Sequence, residues 1–390
     1  MYDFIYMSEG GKELMSLNKK RAFILVISTL IILTFYLLLW PVPIQPLSWD
    51  APQSEGYAGP HKKNSRLASM EFMELKHYEQ PEHIVYREGW LYAAMNSGEI
   101  IRVRPDGTGL EVVVNTGGRP LGFDFAEDGA LIIADPMYGN HGGLLRVINY
   151  ENSAEIELLT DSAEGIPINF ADAVVVAKNG FIYFSDASFV VKAKDIGDVG
   201  KAGEIDILGN SSTGRVLEYN PQTQETRVLM TDISFANGMA LSEDEQYLLL
   251  NETGKYRVWK LNVAAENIST LKSNELAEIL MENLPGLPDN ITKGQDGRYW
   301  IGLVHPRNSF LDYSANKPWL RSLALRLPHF LLPKGDGYAH VIAINEVGEV
   351  LEDLQNPDSH YTEITGVTET DDKLFFHHLN HTNTIGWMSK

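Results

Sequence analysis

Hydrophobic and polar positions divide this chain into two unlike parts. From Ala22 to Trp40 (AFILVISTLIILTFYLLLW) no residue is charged. As a helix rising about 1.5 Å per residue, that stretch crosses a hydrocarbon layer of about 30 Å. Lys19, Lys20 and Arg21 precede it, and Pro41, Pro43 and Pro46 follow. The pattern predicts a cytoplasmic tail over residues 1–21, a transmembrane helix over 22–40 and an exported remainder. A cleaved signal peptide is the alternative, but the run exceeds a usual signal core and no small-x-small cleavage site follows it.

A Pro-rich, polar linker occupies residues 41–75, and beyond it a different pattern recurs six times: a short apolar run, a tight turn, a second run, then a third ending in alternation. The units begin at Pro81, Gly122, Asp172, Gly238, Asp289 and Ile364. Asp128-Gly129, Asn179-Gly180 and Asp296-Gly297 supply the positive-φ turn positions. A β-sandwich uses similar strands but does not require the same unit to recur, so the fold class is all-β, a six-bladed β-propeller over residues 76–390. The alternation breaks over residues 306–334. There Trp319, Leu320, Leu323, Leu327, Phe330 and Leu331 recur at helical spacing beside Arg321 and Arg326. This segment reads as a short helical insertion on one rim: a lid, a lipid-touching surface, or plain packing against the propeller.

Charge and composition narrow the chemistry. The 52 acidic against 32 basic residues give a net charge of −20, a field that repels nucleic-acid backbones and attracts cations. The chain has no cysteine, so a metal must sit on oxygen or imidazole, with disulfides and thiolate chemistry excluded.

In a propeller the innermost strand of every blade starts at the same rim of the central channel, so equivalent positions converge on one axis. Those positions are Glu82, Leu121, Ala171-Asp172, Asn237, Asp289-Asn290 and the region of Thr365. Four of the six offer oxygen donors, which suit a hard cation such as Ca²⁺. Taken singly, each is equally at home closing a turn before a strand.

GRPLGFDF with LIIADPMYG, FANGMALSEDEQYLLLNETGKYRVWKL, and LPGLPDNI with GRYWIGL resemble motifs of the strictosidine synthase-like propellers, grouped with gluconolactonases and paraoxonases. The resemblance runs from about Pro41 to the C-terminus. It implies one divalent metal ion, usually calcium, held by Glu82, Asp172, Asn237, Asp289 and Asn290. It also exposes departures. Ala171 stands where the family often has a ligating asparagine, Ile364 to Gly366 stand where strictosidine synthases carry a catalytic glutamate, and Leu121 replaces the paraoxonase histidine.

The expected function is therefore a membrane-anchored, metal-dependent hydrolase of small-molecule esters or lactones, with Asp289 as base and His381 as a second catalytic candidate. A displayed, non-enzymatic propeller is the alternative, and strictosidine synthase-type condensation is disfavoured. His377 and His378, adjacent on a strand, point to opposite faces. His378 and His305 are further outside candidates. The expected contacts with a membrane run through residues 22–40 and the 306–334 insertion.

Overall fold

The described residues of the computed structural model are 7–328, 331–332 and 337–390. Phe330 and part of the insertion's C-terminal end lie outside them. Six antiparallel sheets stand around a central channel, with inner strands His83–Arg87, Phe123–Phe125, Ala171–Val176, Ala236–Leu241, Gly286–Lys293 and Ile364–Glu369 in blades 1 to 6. In blades 1 to 5 the strands follow one another outward in chain order, and in blade 3 a short parallel strand, Ile268–Ser269, is added at the edge. Blade 6 is different. Its first three strands come from the end of the chain, and its outermost strand, Glu71–Glu74, comes from before blade 1 and pairs antiparallel with Thr384–Ser389. The propeller thus begins at residue 71, inside the segment read as linker, because those four residues complete the sheet that the C-terminus leaves one strand short.

The second strand of each blade is buried on both faces, and this explains why the sequence there reads as apolar runs more than as clean alternation. Leu248 and Leu250 of blade 4 pack toward blade 3, whereas Leu249 between them packs toward blade 5. In blade 2, Ile132 and Ala134 face blade 3 while Ile133 faces blade 1. One apolar cluster fills each of the six gaps between blades, the gap between blades 6 and 1 being closed by Met73, Phe375 and Ile385 against Ile84 and Leu91. At about 25 cal/mol per Å² removed from water, this two-sided burial is the main favourable term.

The loops that enter the inner strands are pinned by buried acids from the second strands. Asp135 accepts hydrogen bonds from the Arg119 N–H at 2.9 Å, the Met137 N–H at 2.8 Å and the Thr116 hydroxyl at 2.6 Å. Asp186 accepts from the Phe170 N–H at 2.9 Å and from Arg215 Nε at 2.9 Å. Glu252 accepts from the Ser234 N–H at 2.9 Å, from Arg257 Nε at 2.6 Å and from Trp259 Nε1 at 2.6 Å. These side chains fix where the inner strands of blades 2, 3 and 4 begin, and therefore which of their residues face the axis.

Two helical excursions leave the same rim, each between the second and third strands of its blade. Blade 3 contributes α2 (Ala193–Ile196) and α3 (Val199–Gly209), and blade 5 contributes α4 (Ser309–Ser314) and α5 (Pro318–Ala324); α1 is the long N-terminal helix Met7–Leu39. The blade 5 excursion is the predicted insertion; the blade 3 excursion carries no helical signal that the sequence reading used. Arg321 joins the two. Its buried guanidinium donates to the carbonyls of Ile207 and Leu208 at the end of α3 and to those of Leu311 and Ser314 in α4, at 2.8–3.2 Å. Unpaired carbonyls at two helix C-termini are thereby satisfied by one cation. Arg321 is consequently not available to a lipid surface; it serves the packing of the segment, one of the readings its spacing left open. Ile44 of the linker inserts beneath the rim among Leu121, Phe170, Ala202 and Phe235.

Within α1, Lys19–Leu39 is the one span among the described residues long and apolar enough to cross a membrane; its 21 residues rise about 31 Å. Its last turn touches the blade 5 excursion: the Tyr36 hydroxyl donates to the Arg326 carbonyl at 2.9 Å, and Arg326 Nε donates to the Trp40 carbonyl at 2.6 Å.

Candidate metal centre in the central channel

In four blades the regular pairing between inner and second strand is broken at the residues singled out from sequence. The register shifts between Ala171 and Val174, between Ala236 and Met239, between Pro288 and Ile291, and between Ile364 and Gly366. Asp172, Asn237, Asp289-Asn290 and Thr365 lie inside these irregularities. A bulge of this kind re-aims a side chain that regular pleating would send between the blades. Gly238 and Gly122 allow the inner strands to approach at these points. A Cβ on Gly238 would meet Ile291 N at 2.4 Å and Asn290 Cα at 2.5 Å, and one on Gly122 would meet the Asp172 carbonyl oxygen at 2.7 Å.

The structure brings the five predicted ligands together. Asn290 Nδ2 donates to Glu82 Oε1 at 2.8 Å and to the Glu82 carbonyl at 3.0 Å, reaching from blade 5 to blade 1. The Thr365 hydroxyl of blade 6 donates to the same carbonyl at 2.7 Å. The Asp289 carbonyl accepts from Asn251 Nδ2 at 2.6 Å, and the Asp172 carbonyl accepts from the Gly122 N–H at 2.6 Å. None of Glu82, Asp172, Asn237, Asp289 and Asn290 is more than 6% exposed. Ala171 packs in the gap between blades 2 and 3, so no ligand takes the place of the asparagine it replaces.

Arg119 is the residue sequence reasoning missed. It is buried, donates to the Pro120 carbonyl at 3.0 Å, and lies within electrostatic range of both Glu82 and Asp172. Burial pushes its pKa down to about 10, against the attraction of Glu82, Asp135 and Asp172. The convergence rule counted only the residue entering each inner strand, and Arg119 reaches the axis from two residues before Leu121.

The donor set fits a divalent cation. Burial raises the carboxyls of Glu82, Asp172 and Asp289, and the charge of Glu82 raises Asp172 and Asp289 further, while Arg119 and the Asn290 and Asn237 amides act in the opposite direction. Three carboxylates against one guanidinium leave two negative charges, the amount one divalent ion balances. Two buried oxygens, Glu82 Oε2 and Asn237 Oδ1, have no hydrogen-bond partner. Such orphans are costly unless something else satisfies them. All donors are oxygens, the preference of Ca²⁺.

A cavity of about 320 Å³ lies further along the channel, lined by His83, Phe123, Asp124, Met239, Thr368 and Glu369 among others; of the predicted ligands it touches Asn290 alone. His83 stands between this cavity and Glu82. Its ring packs edge-on against Phe123 and His377 at centroid distances of 5.3 and 5.4 Å, its Nδ1 is buried and unpartnered, and burial lowers its pKa to about 4.

The other histidines separate as strand geometry requires. His377 accompanies His83 and pairs through Nε2 with the Thr368 hydroxyl at 2.7 Å, whereas His378 faces away, packs on Tyr361 and donates from Nε2 to the Thr384 carbonyl at 2.8 Å. His381 lies in an exposed loop with an 80% exposed side chain, 3.7 Å from Glu79, and is not among the groups gathered in the channel. His305 is half-buried with Nδ1 unpartnered, at the rim end of its strand. No carboxylate occupies the strictosidine synthase position, where Gly366 abuts His377 and Asn290.

A strictosidine synthase family model matches residues 172–266, and a strictosidine synthase-like N-terminal model matches residues 59–103. Protein STRICTOSIDINE SYNTHASE-LIKE 7 of Arabidopsis thaliana is 35% identical over 263 residues, 66% of this chain and 65% of the relative, so this chain spans just under two thirds of that protein. STRICTOSIDINE SYNTHASE-LIKE 10 of the same plant is 31% identical over 74% of this chain and 73% of its own length. The human adipocyte plasma membrane-associated protein is 26% identical over 86% and 81%. Among solved structures, a gluconolactonase from Xanthomonas campestris superposes with a TM-score of 0.57 at 16% identity, covering 90% of this chain and 99% of its own. A calcium-binding regucalcin from Agrobacterium tumefaciens gives 0.53 at 12%, covering 81% and 93%. On its sequence similarity to the plant relatives and the match to the family models, the chain belongs to the strictosidine synthase-like family.

Proposed function

We propose that this protein is a membrane-anchored hydrolase of esters or lactones that works with one calcium-like ion held by Glu82, Asp172, Asn237, Asp289 and Asn290. The observation that carries the reading is the set of buried oxygens converging from five inner-strand positions, with Glu82 Oε2 and Asn237 Oδ1 left without partners. A gluconolactonase and a calcium-binding regucalcin among the structural neighbours are in keeping with it. When bound, the cation supplies Lewis-acid polarisation of a carbonyl.

The chain's own residues do the rest. Asn290 fixes Glu82 through one carboxylate oxygen and leaves the other free to ligate. Arg119 favours the ionised forms of Glu82 and Asp172. Asp289, whose carboxyl is raised by burial and by Glu82, is the group assigned to take a proton from the attacking water. Burial of all five side chains keeps bulk water off the site. Anchoring through residues 22–40 puts the basic flank Lys19 to Arg21 in the cytoplasm and the propeller on the exported side. The exposed Trp319, Tyr313 and Leu331 near the last turn of α1 would meet the interface.

A second reading, a displayed propeller with a purely structural ion, is favoured by the burial of all five ligands and by Leu121 where a proton-relay histidine would stand. One experiment separates them. Full-length protein in detergent is assayed for calcium content and for turnover of a panel of aryl esters and lactones, beside Asp289→Ala and Asn237→Ala. About one calcium per chain, with at least about 100-fold loss of both affinity and turnover in the variants, supports the hydrolase. Calcium bound without turnover of any panel member supports the structural ion, and absence of calcium binding removes both.

A further inference from the structure

On the outer part of blade 5, remote from the channel in the order of strands, the third strand (Ala339–Ile344) and the fourth (Val350–Asn356) carry His340 and Asp353. The segment that descends from the apolar helix lays His61 against them. His61 Nδ1 lies 2.9 Å from Asp353 Oδ2, and His340 Nε2 lies 3.0 Å from the same oxygen. The three donor atoms fall within 4.8 Å of one another. A four-coordinate ion with ligand bonds of about 2.0–2.1 Å holds neighbouring donors about 3.3 Å apart, so each nitrogen backs away from Asp353 Oδ2 by a few tenths of an ångström, and the two nitrogens, within 4.8 Å of each other, draw together by at most about 1.5 Å.

The surroundings hold the carboxylate in this pose. Asp353 Oδ1 accepts from Gln355 Nε2 at 2.5 Å and from Asn64 Nδ2 at 3.2 Å, leaving Oδ2 to the two rings. Gln355 in turn accepts from the Tyr338 hydroxyl at 2.7 Å, and Tyr338 stacks on Tyr57 at 4.9 Å. Partners of this kind, which fix a ligand without touching the metal, are the usual support of a metal site. A second observation is independent of the cluster's own hydrogen bonds. The Tyr57 hydroxyl is buried, feels the charge of Asp353, and has no hydrogen-bond partner. A water held on an ion between His61, His340 and Asp353 would satisfy it. Both imidazoles are shielded from solvent, His340 being 2% and His61 14% exposed. Two imidazole nitrogens and one carboxylate select zinc-class ions and not calcium.

We propose that His61, His340 and Asp353 form a zinc-class metal site, completed by water, that fastens the segment following the apolar helix to blade 5. The site is separate from the channel and does not depend on its chemistry.

The test uses full-length protein in detergent, stripped with chelator and then saturated with calcium so that any channel ion is accounted for. Zinc is titrated by calorimetry, and cobalt by visible absorption. The expected result is one zinc per chain that calcium does not displace, with an intense four-coordinate cobalt spectrum. His61→Ala, on the partly exposed segment, weakens zinc by more than about 100-fold while the protein stays folded, and His340→Gln does the same. No zinc binding at micromolar metal overturns the proposal, as does zinc uptake that His61→Ala leaves unchanged; either result makes the trio a hydrogen-bonded clamp.

Discussion

Asp206 illustrates how a single side chain can set a pH response. It is buried on α3, its Oδ2 accepts from the Thr213 hydroxyl at 3.1 Å, and burial raises its pKa to about 7 despite that bond and another from Ser188. An acid raised from its ordinary value near 4 binds its proton more tightly folded than unfolded. Its contribution is fully present below about pH 4 and is lost as pH rises through about 7. Asp206→Asn therefore leaves stability little changed at pH 4 and raises it by up to about 4 kcal/mol at pH 8, read as a difference between two melting-temperature profiles. At this scale the channel set was legible because it follows from blade phase: once the start of each inner strand is located, Glu82, Asp172, Asn237, Asp289 and Asn290 are read directly. Arg119 escaped because it enters from the loop before the strand, and His61 because 292 positions separate it from Asp353. No local pattern encodes either placement.

At the scale of elements, the two rim excursions depend on one residue. Arg321 satisfies carbonyls of both α3 and α4, and burial pushes its pKa down to about 10 without removing its charge near neutrality. Arg321→Met should cost about 3–5 kcal/mol, since it strands buried carbonyls, and should speed hydrogen exchange across Val199–Gly209 and Ser309–Ser314 while the blade strands stay protected. Equal loss of protection in the blades would show that the excursions are not a separate unit. The blade 5 excursion could be read from its apolar spacing. The blade 3 excursion could not, because VGKAGEIDILG is short and glycine-rich and its helical periodicity is weak. The strand Glu71–Glu74 was taken for linker for a related reason: four residues with only Met73 buried carry too little pattern to announce a strand, and their partner lies at the opposite end of the sequence.

For the molecule as a whole, the six gaps between blades form a closed series, so each blade is supported on both sides only when the ring is complete. Removal of Thr384–Ser389 takes away the strand between Lys373–His378 and Glu71–Glu74 and exposes the gap that Met73 and Ile385 help to fill. The truncated chain should lose the single cooperative unfolding transition and bind the dye ANS, whereas removal of Lys390 alone, which unpairs the buried Glu369, should lower the melting temperature but keep one transition. The same closure has a consequence for biosynthesis. The strand that clasps blade 6 is among the first parts of the propeller to leave the ribosome, and its partner is the last. Glu71–Glu74 must therefore wait, unpaired, through the synthesis of more than 300 residues before Thr384–Ser389 arrives. Blades 1 to 5 can form in order as they emerge, but the circle is sealed only once Thr384–Ser389 has emerged. Until then this protein carries an open strand edge at each end, which makes the interval before sealing the one in which a chaperone is most needed.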